Sequence, residues 1–288
     1  MKDTSAFELL QYASPVLHPS LLVLDENSGH ILPSPVTGMQ VISNRYDIYL
    51  LAQRAGWHST FSDFDFSGIA PASLQQALYR ISKEKRVVEH VLQSLWQCLQ
   101  INGTLYIAGF KNEGIKTFAK RISEAWDCEA CLVRGEQKLH LYSFRKPGES
   151  RTMLNTADYT ALVHITDWNA LPLWSKPGIF AWDRLDEGSC YLLEQLPAVL
   201  DGVGVPRRGL DIGCGSGLLS LALIKAGCSE IVATDNNAAA LTATAHNLKA
   251  CVSKQIYSVQ AADAGAGISL RADLLLCNPP FHQGFAID

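Results

Sequence analysis

Leu210-Asp211-Ile212-Gly213-Cys214-Gly215-Ser216-Gly217-Leu218 decides the fold. Gly209 to Ile212 is a short apolar run, and Leu218 to Ala226 carries Leu219, Leu221, Ala222, Leu223 and Ile224 at helical density before Gly227, a residue suited to a helix C-terminus. The spacing predicts a buried strand, a tight glycine turn and a helix that starts directly on it. Glycine is needed where such a turn is tight and where a ligand touches backbone, because a Cβ would take the ligand's space. The helix N-terminus then points its free N–H groups at that space. A lone Gly-x-Gly-x-Gly is weak; the strand before it, the helix after it and the acid at 235 give it weight.

Downstream the pattern repeats. Glu230 to Thr234 predicts a second strand ending at Asp235-Asn236-Asn237, and an alanine-rich helix follows from Ala238 to Ala250. Ile256 to Gln260 predicts a third strand ending at Ala261-Ala262-Asp263-Ala264, and Ala272 to Cys277 a fourth ending in Asn278-Pro279-Pro280-Phe281-His282. Strands alternating with helices predict a parallel sheet, and such sheets bind ligands at the carboxyl ends of their strands. The first strand brings Asp211, Gly213, Gly215 and Gly217 to that edge. Asp235 is placed to grip the two hydroxyls of a ribose. Asp263 is an acceptor for an adenine amino group, with Asn236 and Ala264 flanking the ring.

Asn278-Pro279-Pro280-Phe281 separates hydride transfer from other chemistry. Two successive prolines fix an extended, rigid turn and remove two N–H donors. What remains is mostly acceptor: the Asn278 side-chain oxygen and the Pro279 carbonyl, a pair that suits the two hydrogens of a planar amino group. Phe281 offers a face for a flat ring. Attack of such a nitrogen on an electrophilic methyl group needs no metal and no covalent enzyme intermediate, only alignment and placed polar groups.

The rest of the chain sets the frame. At 288 residues it is long enough for two domains, each with a core of its own. Met1 to Leu10 lacks the pattern of an export signal and no apolar run approaches membrane-spanning length, so a cytoplasmic protein is expected. Net charge is −4: residues 1–176 are balanced at 17 basic and 17 acidic, whereas 177–288 hold 7 and 11. Bulk charge therefore advertises no nucleic acid. Only Lys83, Lys85 and Arg86, or Lys111, Lys116, Lys120 and Arg121, form local basic patches. Of eight cysteines only Cys128 and Cys131 have ligand spacing, and no second pair or histidine completes a metal set, so no metal is expected.

Upstream, strands are predicted at Leu21–Leu24, Met39–Ile42, Thr60–Phe66, Ala77–Ile81 and Thr104–Phe110. Helices are predicted at 46–55, 84–99 (closed by Asn102-Gly103) and 114–126. A hairpin of Cys128–Arg134 and Lys138–Phe144 completes an open α/β sheet with an antiparallel edge. Its first strand runs into Asp25-Glu26-Asn27-Ser28-Gly29, carboxylates where a phosphate or nucleoside needs N–H donors. This part is expected to be structural or to bind substrate. Pro147-Gly148-Glu149-Ser150 suggests a boundary. The expected domains are 1–148, a linker over 149–176, and 177–288, the last entered by a helix from Ser189 to about Leu200.

Four motifs resemble the two-domain ribosomal RNA guanine-N2 methyltransferases with a methyltransferase small domain: Pro177-Gly178-Ile179-Phe180, Leu185-Asp186-x-Gly188-Ser189, the glycine turn, and Asn278-Pro279-Pro280-Phe281-His282. The resemblance implies two tandem Rossmann-like domains, the first degenerate. It implies S-adenosyl-L-methionine as cofactor, held by Asp211, Gly213, Cys214, Gly215, Gly217, Asp235, Asn236, Asp263 and Ala264. It implies Asn278, Pro279, Pro280 and Phe281 as catalytic residues, and ribosomal RNA or a ribosomal subunit as partner, with a monomer expected. Family members carry arginine where Trp182 stands and glycine where Arg184 stands, and they continue beyond Asn-Pro-Pro-Phe, so a piece ending after its fourth strand is expected. The alternatives are methylation of a protein glutamine or DNA adenine, and a non-catalytic RNA-binding remnant; a dehydrogenase leaves the double proline without a task.

Overall fold

The structure is a computed structural model that describes residues 13, 18–25, 35, 37–136, 138–149, 152–154, 158–251 and 256–279. It divides into two compact units, Met1–Tyr159 and Thr160–Asp288. The division falls inside the expected linker 149–176. Much of that segment is ordered: β8 (Val163–Trp168) and β9 (Leu171–Ser175) form an antiparallel hairpin, whose Trp168 and Leu173 join cores of the second unit. Trp168, Pro172 and Trp174, which fall within the expected linker, belong to this hairpin.

In the first unit, β1 (Ser20–Leu24), β2 (Met39–Ser43), β3 (His58–Phe61), β4 (Leu74–Arg80), β5 (Leu99–Phe110), β6 (Cys131–Gly135) and β7 (Leu139–Arg145) form one sheet in the order β3-β2-β1-β4-β5-β7-β6. Pairings are parallel except at β7, which runs antiparallel to β5 and β6. Helices α1 (Tyr46–Arg54), α2 (Lys85–Cys98) and α3 (Ile115–Trp126) connect the strands. The apolar positions Val87, Val88, Val91, Leu92, Leu95 and Trp96 of α2 are all buried, as their period requires. Two details depart from expectation. The third strand stops at Phe61, because Phe64 adopts φ +50° and drops its ring into the core. Asn102-Gly103 lies inside β5, where the register shifts between the Leu74/Leu99 and Gln76/Thr104 pairs. Asn102 takes φ +65°, and a Cβ at Gly103 would lie 2.9 Å from the Gln100 carbonyl, so this strand is irregular without ending.

The second unit contains α4 (Glu187–Val203), β10 (Arg208–Ile212), α5 (Leu218–Lys225), β11 (Glu230–Asp235), α6 (Ala238–Cys251), β12 (Tyr257–Ala261) and β13 (Leu274–Cys277). Its sheet is parallel throughout, in the order β12-β11-β10-β13. That repeats the β3-β2-β1-β4 order of the first unit, so the chain holds two tandem α/β sheets of one pattern.

Lys146, 1% exposed, closes the end of α2 from outside the helix: its Nζ donates to the carbonyls of Trp96 (3.0 Å) and Leu99 (2.8 Å). Carbonyls at a helix C-terminus have no intrahelical donor, and a cation there also meets the negative end of the dipole. Lys146→Met is expected to lower the unfolding free energy by about 2–3 kcal/mol, read from urea denaturation followed by tryptophan fluorescence.

Candidate active site

Register fixes the site. Ile212 pairs with Thr234 on one side and with Cys277 on the other, while Asp235 pairs with Ala261. The residues that follow these strands therefore emerge side by side: the turn containing Asp263 and Ala264, then Asp235, then the glycine turn, then Asn278. The strand order reverses between β10 and β13, so a crevice opens between Gly213 and Asn278, the usual ligand position of such sheets.

The glycine turn is anchored to its neighbours. Gly213 and Cys214 donate their N–H groups to the Thr234 carbonyl at 2.8 and 2.9 Å, and Gly217 donates to the Cys214 carbonyl at 2.7 Å. Gly213, Gly215 and Gly217 take φ of +74°, +54° and +87°. Gly217 also lacks room: a Cβ would lie 3.1 Å from the Thr244 Cα. Gly213 is the opposite case, with open space where a Cβ would be. Asp235 uses both oxygens: Oδ2 accepts from the Gly215 N–H of the turn at 3.0 Å, and Oδ1 from the Asn237 N–H of its own loop at 2.9 Å. Asn237 then donates to the Gly178 carbonyl at 2.7 Å, and Ile179 lies on the small side chains of Ala239, Ala240 and Ala243. The Pro177-Gly178-Ile179-Phe180 motif is thereby held at the start of α6. Asn236 is half-buried beside Asp235, and Asp263 and Ala264 are exposed. Their turn reaches the site, since a Cβ on Gly265 would lie 3.2 Å from Ile212 Cδ1.

Asp211 is fully buried under the turn. Oδ2 accepts from the Ser220 hydroxyl at 2.5 Å, while Oδ1 has no partner among the described residues. Burial pushes its carboxyl up to about 7, against the Ser220 hydroxyl and with the Asp235 charge adding to the rise. Burial also pushes the Cys214 thiol well above its usual range, so it is a small packed group under the turn and not a nucleophile.

Asn278 is half-buried at the end of β13, with Pro279 exposed after it; Pro280, Phe281 and His282 lie outside the described residues. The Asn278 Nδ2 donates to Asp186 Oδ2 at 2.5 Å and to Ser189 Oγ at 2.9 Å. Asp186 is the N-cap of α4, accepting from the Ser189 N–H at 2.9 Å. Two motifs separated by about ninety residues thus meet at one amide.

Sequence reasoning missed Asn247. Fully buried on α6, it accepts from the Trp174 N–H at 3.0 Å and donates to the carbonyls of Trp174 and Ser216, both at 2.7 Å. It joins the β8–β9 hairpin to the glycine turn. An asparagine among alanines on a helix face is its only sequence trace.

The basic patches of the first unit are thinned by pairing. Arg121 binds Glu89 at 2.5 Å and the Leu154 carbonyl at 2.7 Å, and Lys120 lies 3.6 Å from Glu124. Lys83, Lys85, Arg86, Lys111 and Lys116 are exposed. Cys128 donates to the Ile122 carbonyl, and Cys131 is exposed on β6.

The methyltransferase small domain family matches residues 170–288. The large subunit ribosomal RNA methyltransferase G of Alcanivorax borkumensis is 30% identical over 280 residues, covering 93% of this chain and 69% of that protein. The chain belongs to the ribosomal RNA methyltransferase family that carries the methyltransferase small domain. Another relative in this family, the small subunit ribosomal RNA methyltransferase C of Hahella chejuensis, is 30% identical over 223 residues; the chain spans 62% of its length. Among solved structures, the T. thermophilus 16S rRNA N2 G1207 methyltransferase (RsmC), in complex with AdoMet and guanosine, superposes with a TM-score of 0.80 at 21% identity, over 99% of this chain and 76% of that one. That likeness establishes the two-domain Rossmann-like methyltransferase fold.

Two outcomes are expected from this geometry. Asn247→Ala leaves three backbone groups of Trp174 and Ser216 without partners and is expected to cost about 2–4 kcal/mol, measured by urea denaturation. Asp211 titrates from an ordinary value near 3.8 when unfolded to about 7 when folded. The folded state therefore holds a proton that the unfolded state has lost, and the resulting stability is full below the lower value and disappears as pH rises through the upper one. Relative to Asp211→Asn, the wild type should lose up to about 1.4 kcal/mol per pH unit between roughly pH 4 and 7, and nothing further above that, in unfolding curves recorded across this range.

Proposed function

We propose that this chain transfers a methyl group from S-adenosyl-L-methionine to the exocyclic N2 of a guanine in ribosomal RNA. The observation that supports this best is the convergence, at one strand-order reversal, of a glycine turn anchored by Asp235 on one side and, on the other, of Asn278, whose amide nitrogen donates within the protein while its Oδ1 accepts from no described residue. The family and the cofactor named for the T. thermophilus structure agree with it.

The residues fit such a cofactor. Gly213 presents bare backbone to open space, the Asp235 carboxylate stands beside it for ribose hydroxyls, and the Asp263-Ala264 turn follows the next strand for the adenine. When bound, the group supplies an electrophilic methyl on a sulfonium. The chain's own contribution is orientation. Asn278 Oδ1 and the Pro279 carbonyl accept the two N–H groups of the base, holding the nitrogen in place with its lone pair directed into the crevice. Hydrogen bonding to both N–H groups also raises electron density on that nitrogen and stabilises the positive charge it gains at the transition state. Phe281 offers its ring for stacking, and Pro280 stiffens the corner. The 177–288 region is the catalytic domain in this reading, and the first unit a degenerate companion. Among the described residues no helix is long and apolar enough to cross a membrane.

Calorimetric titration should show saturable binding of S-adenosyl-L-methionine. Asp235→Ala should weaken it by about 10–100-fold, since charge-assisted bonds to the ribose are lost together with the anchor of Gly215. Asn278→Ala should leave that affinity near wild type while cutting turnover on the order of 100-fold; equal loss of binding would misplace Asn278. Labelled methyl should appear in ribosomal RNA and not in total protein or DNA, which separates guanine N2 from glutamine and adenine.

A further inference from the structure

The Leu185-Asp186-x-Gly188-Ser189 motif has no task in the chemistry above, yet its polar atoms converge on Asn278. Asp186 Oδ2 and Ser189 Oγ both accept from the Asn278 Nδ2. A carboxylate can only accept, so the amide nitrogen must face it and the orientation of Asn278 is settled by chemistry. Both hydrogens of that nitrogen are used within the protein. No described residue donates to Oδ1.

The backbone is built around the same contact. Gly188 lies so close that a Cβ on it would stand 2.8 Å from Asn278 Oδ1 and 3.2 Å from Asp186 Oδ2. Asp186 Oδ2 simultaneously caps α4 through the Ser189 N–H, so the acceptor is itself immobilised by a helix end.

We propose that Asp186 and Ser189 are positioning residues that lock the Asn278 amide with only its oxygen offered outward, so that the site accepts a substrate amino group and excludes groups that bring only acceptors. Asp186 acts through Asn278, from whose Nδ2 its carboxylate accepts. A free asparagine could turn over and present its NH₂ to a carbonyl or a hydroxyl oxygen. Locked in this way, it would leave two acceptors facing such a group with no hydrogen between them. This rests on the proposed methyl transfer to an amino nitrogen for its functional consequence, though the locking itself does not.

Capping and positioning can be separated by choice of side chain. Serine caps a helix about as well as aspartate, but its shorter hydroxyl does not reach Asn278 as a carboxylate does; asparagine keeps both the cap and the reach. The first readout is the side-chain amide of Asn278 in the full chain, seen by ¹H–¹⁵N NMR and assigned by its loss in Asn278→Asp. In Asp186→Ser its protons are expected to exchange with water at least about 10-fold faster, with an unchanged melting temperature. In Asp186→Asn the signal should stay near its wild-type position, and Ser189→Ala should give a smaller acceleration. The second readout is turnover: Asp186→Ser should lower kcat on the order of 10–100-fold with cofactor affinity within about threefold, and Asp186→Asn should recover most of it. An Asn278 signal and exchange rate unaffected by Asp186→Ser overturn the proposal, as does equal loss of turnover in Asp186→Asn and Asp186→Ser. Absence of methyl transfer in the wild type would instead defeat the reaction assignment, and the exchange comparison would still decide whether Asp186 holds the amide.

Discussion

Strand β10 is hydrogen-bonded in parallel on both flanks, and that double pairing is the constraint on which the site depends. With Ile212 opposite Thr234 and Cys277, the three residues that leave the sheet next to one another are Gly213, Asp235 and Asn278. Neighbouring strands lie about 4.8 Å apart, so groups from distant parts of the chain reach one edge without any loop having to span the sheet. A one-residue slip of any of these strands would turn its side chains to the opposite face, burying the carboxylate or the amide where neither meets a ligand. The burial of Leu210, Ile231, Val232 and Leu276 opposes such a slip.

Close approach of α6 is the second requirement. Its buried face is Ala238, Ala239, Ala240, Ala243, Thr244 and Asn247: small side chains bring the helix backbone against Gly217, and two polar ones bond what they meet there. Thr244 donates within the turn, and Asn247 satisfies groups on both the hairpin and the turn. Two buried polar atoms in this region, Ser175 Oγ and Asp211 Oδ1, have no partner among the described residues. An unpartnered carboxylate oxygen in the core is costly, and the chain meets the cost by holding a proton on Asp211 up to about pH 7. The same buried carboxylate lies beneath a turn proposed to receive a cation, where negative charge is wanted once the ligand arrives.

How much of this could be read from the chain alone follows from the range of each signal. The α/β fold, the glycine turn and the placement of Asp235, Asp263 and Asn278 at strand ends were legible because they rest on period and on turn chemistry, both local. Of the β8–β9 hairpin only β-prone residues up to Ile165 were legible; β9 is short, contains Pro172, and packs against residues far along the chain such as Leu218, Leu221 and Leu248. Asn102-Gly103 looked like a terminator since glycine and asparagine favour left-handed angles; Asn102 does adopt one, as an irregularity within β5. Asn247 and the Asp186 contact were invisible because each pairs with residues about 30 to 90 positions away, a separation that no window of sequence spans.

The two units show how one sheet order serves different ends. In both, the central strand's carboxyl end points to the site where this fold binds ligands. In the second unit that end is Ile212-Gly213, where no side chain fills the space beside the backbone. In the first it is Leu24-Asp25, and the Asp25 carboxylate, 3% exposed, accepts from the Tyr79 hydroxyl at 3.1 Å. Burial, reinforced by the Asp25 charge, pushes that phenol well above its usual range, so it stays a neutral donor. Tyr159 similarly donates to Asp63 at 2.5 Å with its ring stacked on His90, and Phe64 is wholly buried. Side chains thus occupy, with hydrogen bonds satisfied among themselves, the kind of position that the glycines leave open in the second unit. The difference between a packing partner and a ligand site is made by a few side chains on the same strand order, and a glycine introduced at 25 would remove a buried acceptor from Tyr79 without creating the following turn. The same strand order occurs in both units, and in the second its central strand ends in the bare backbone proposed to receive a charged nucleoside.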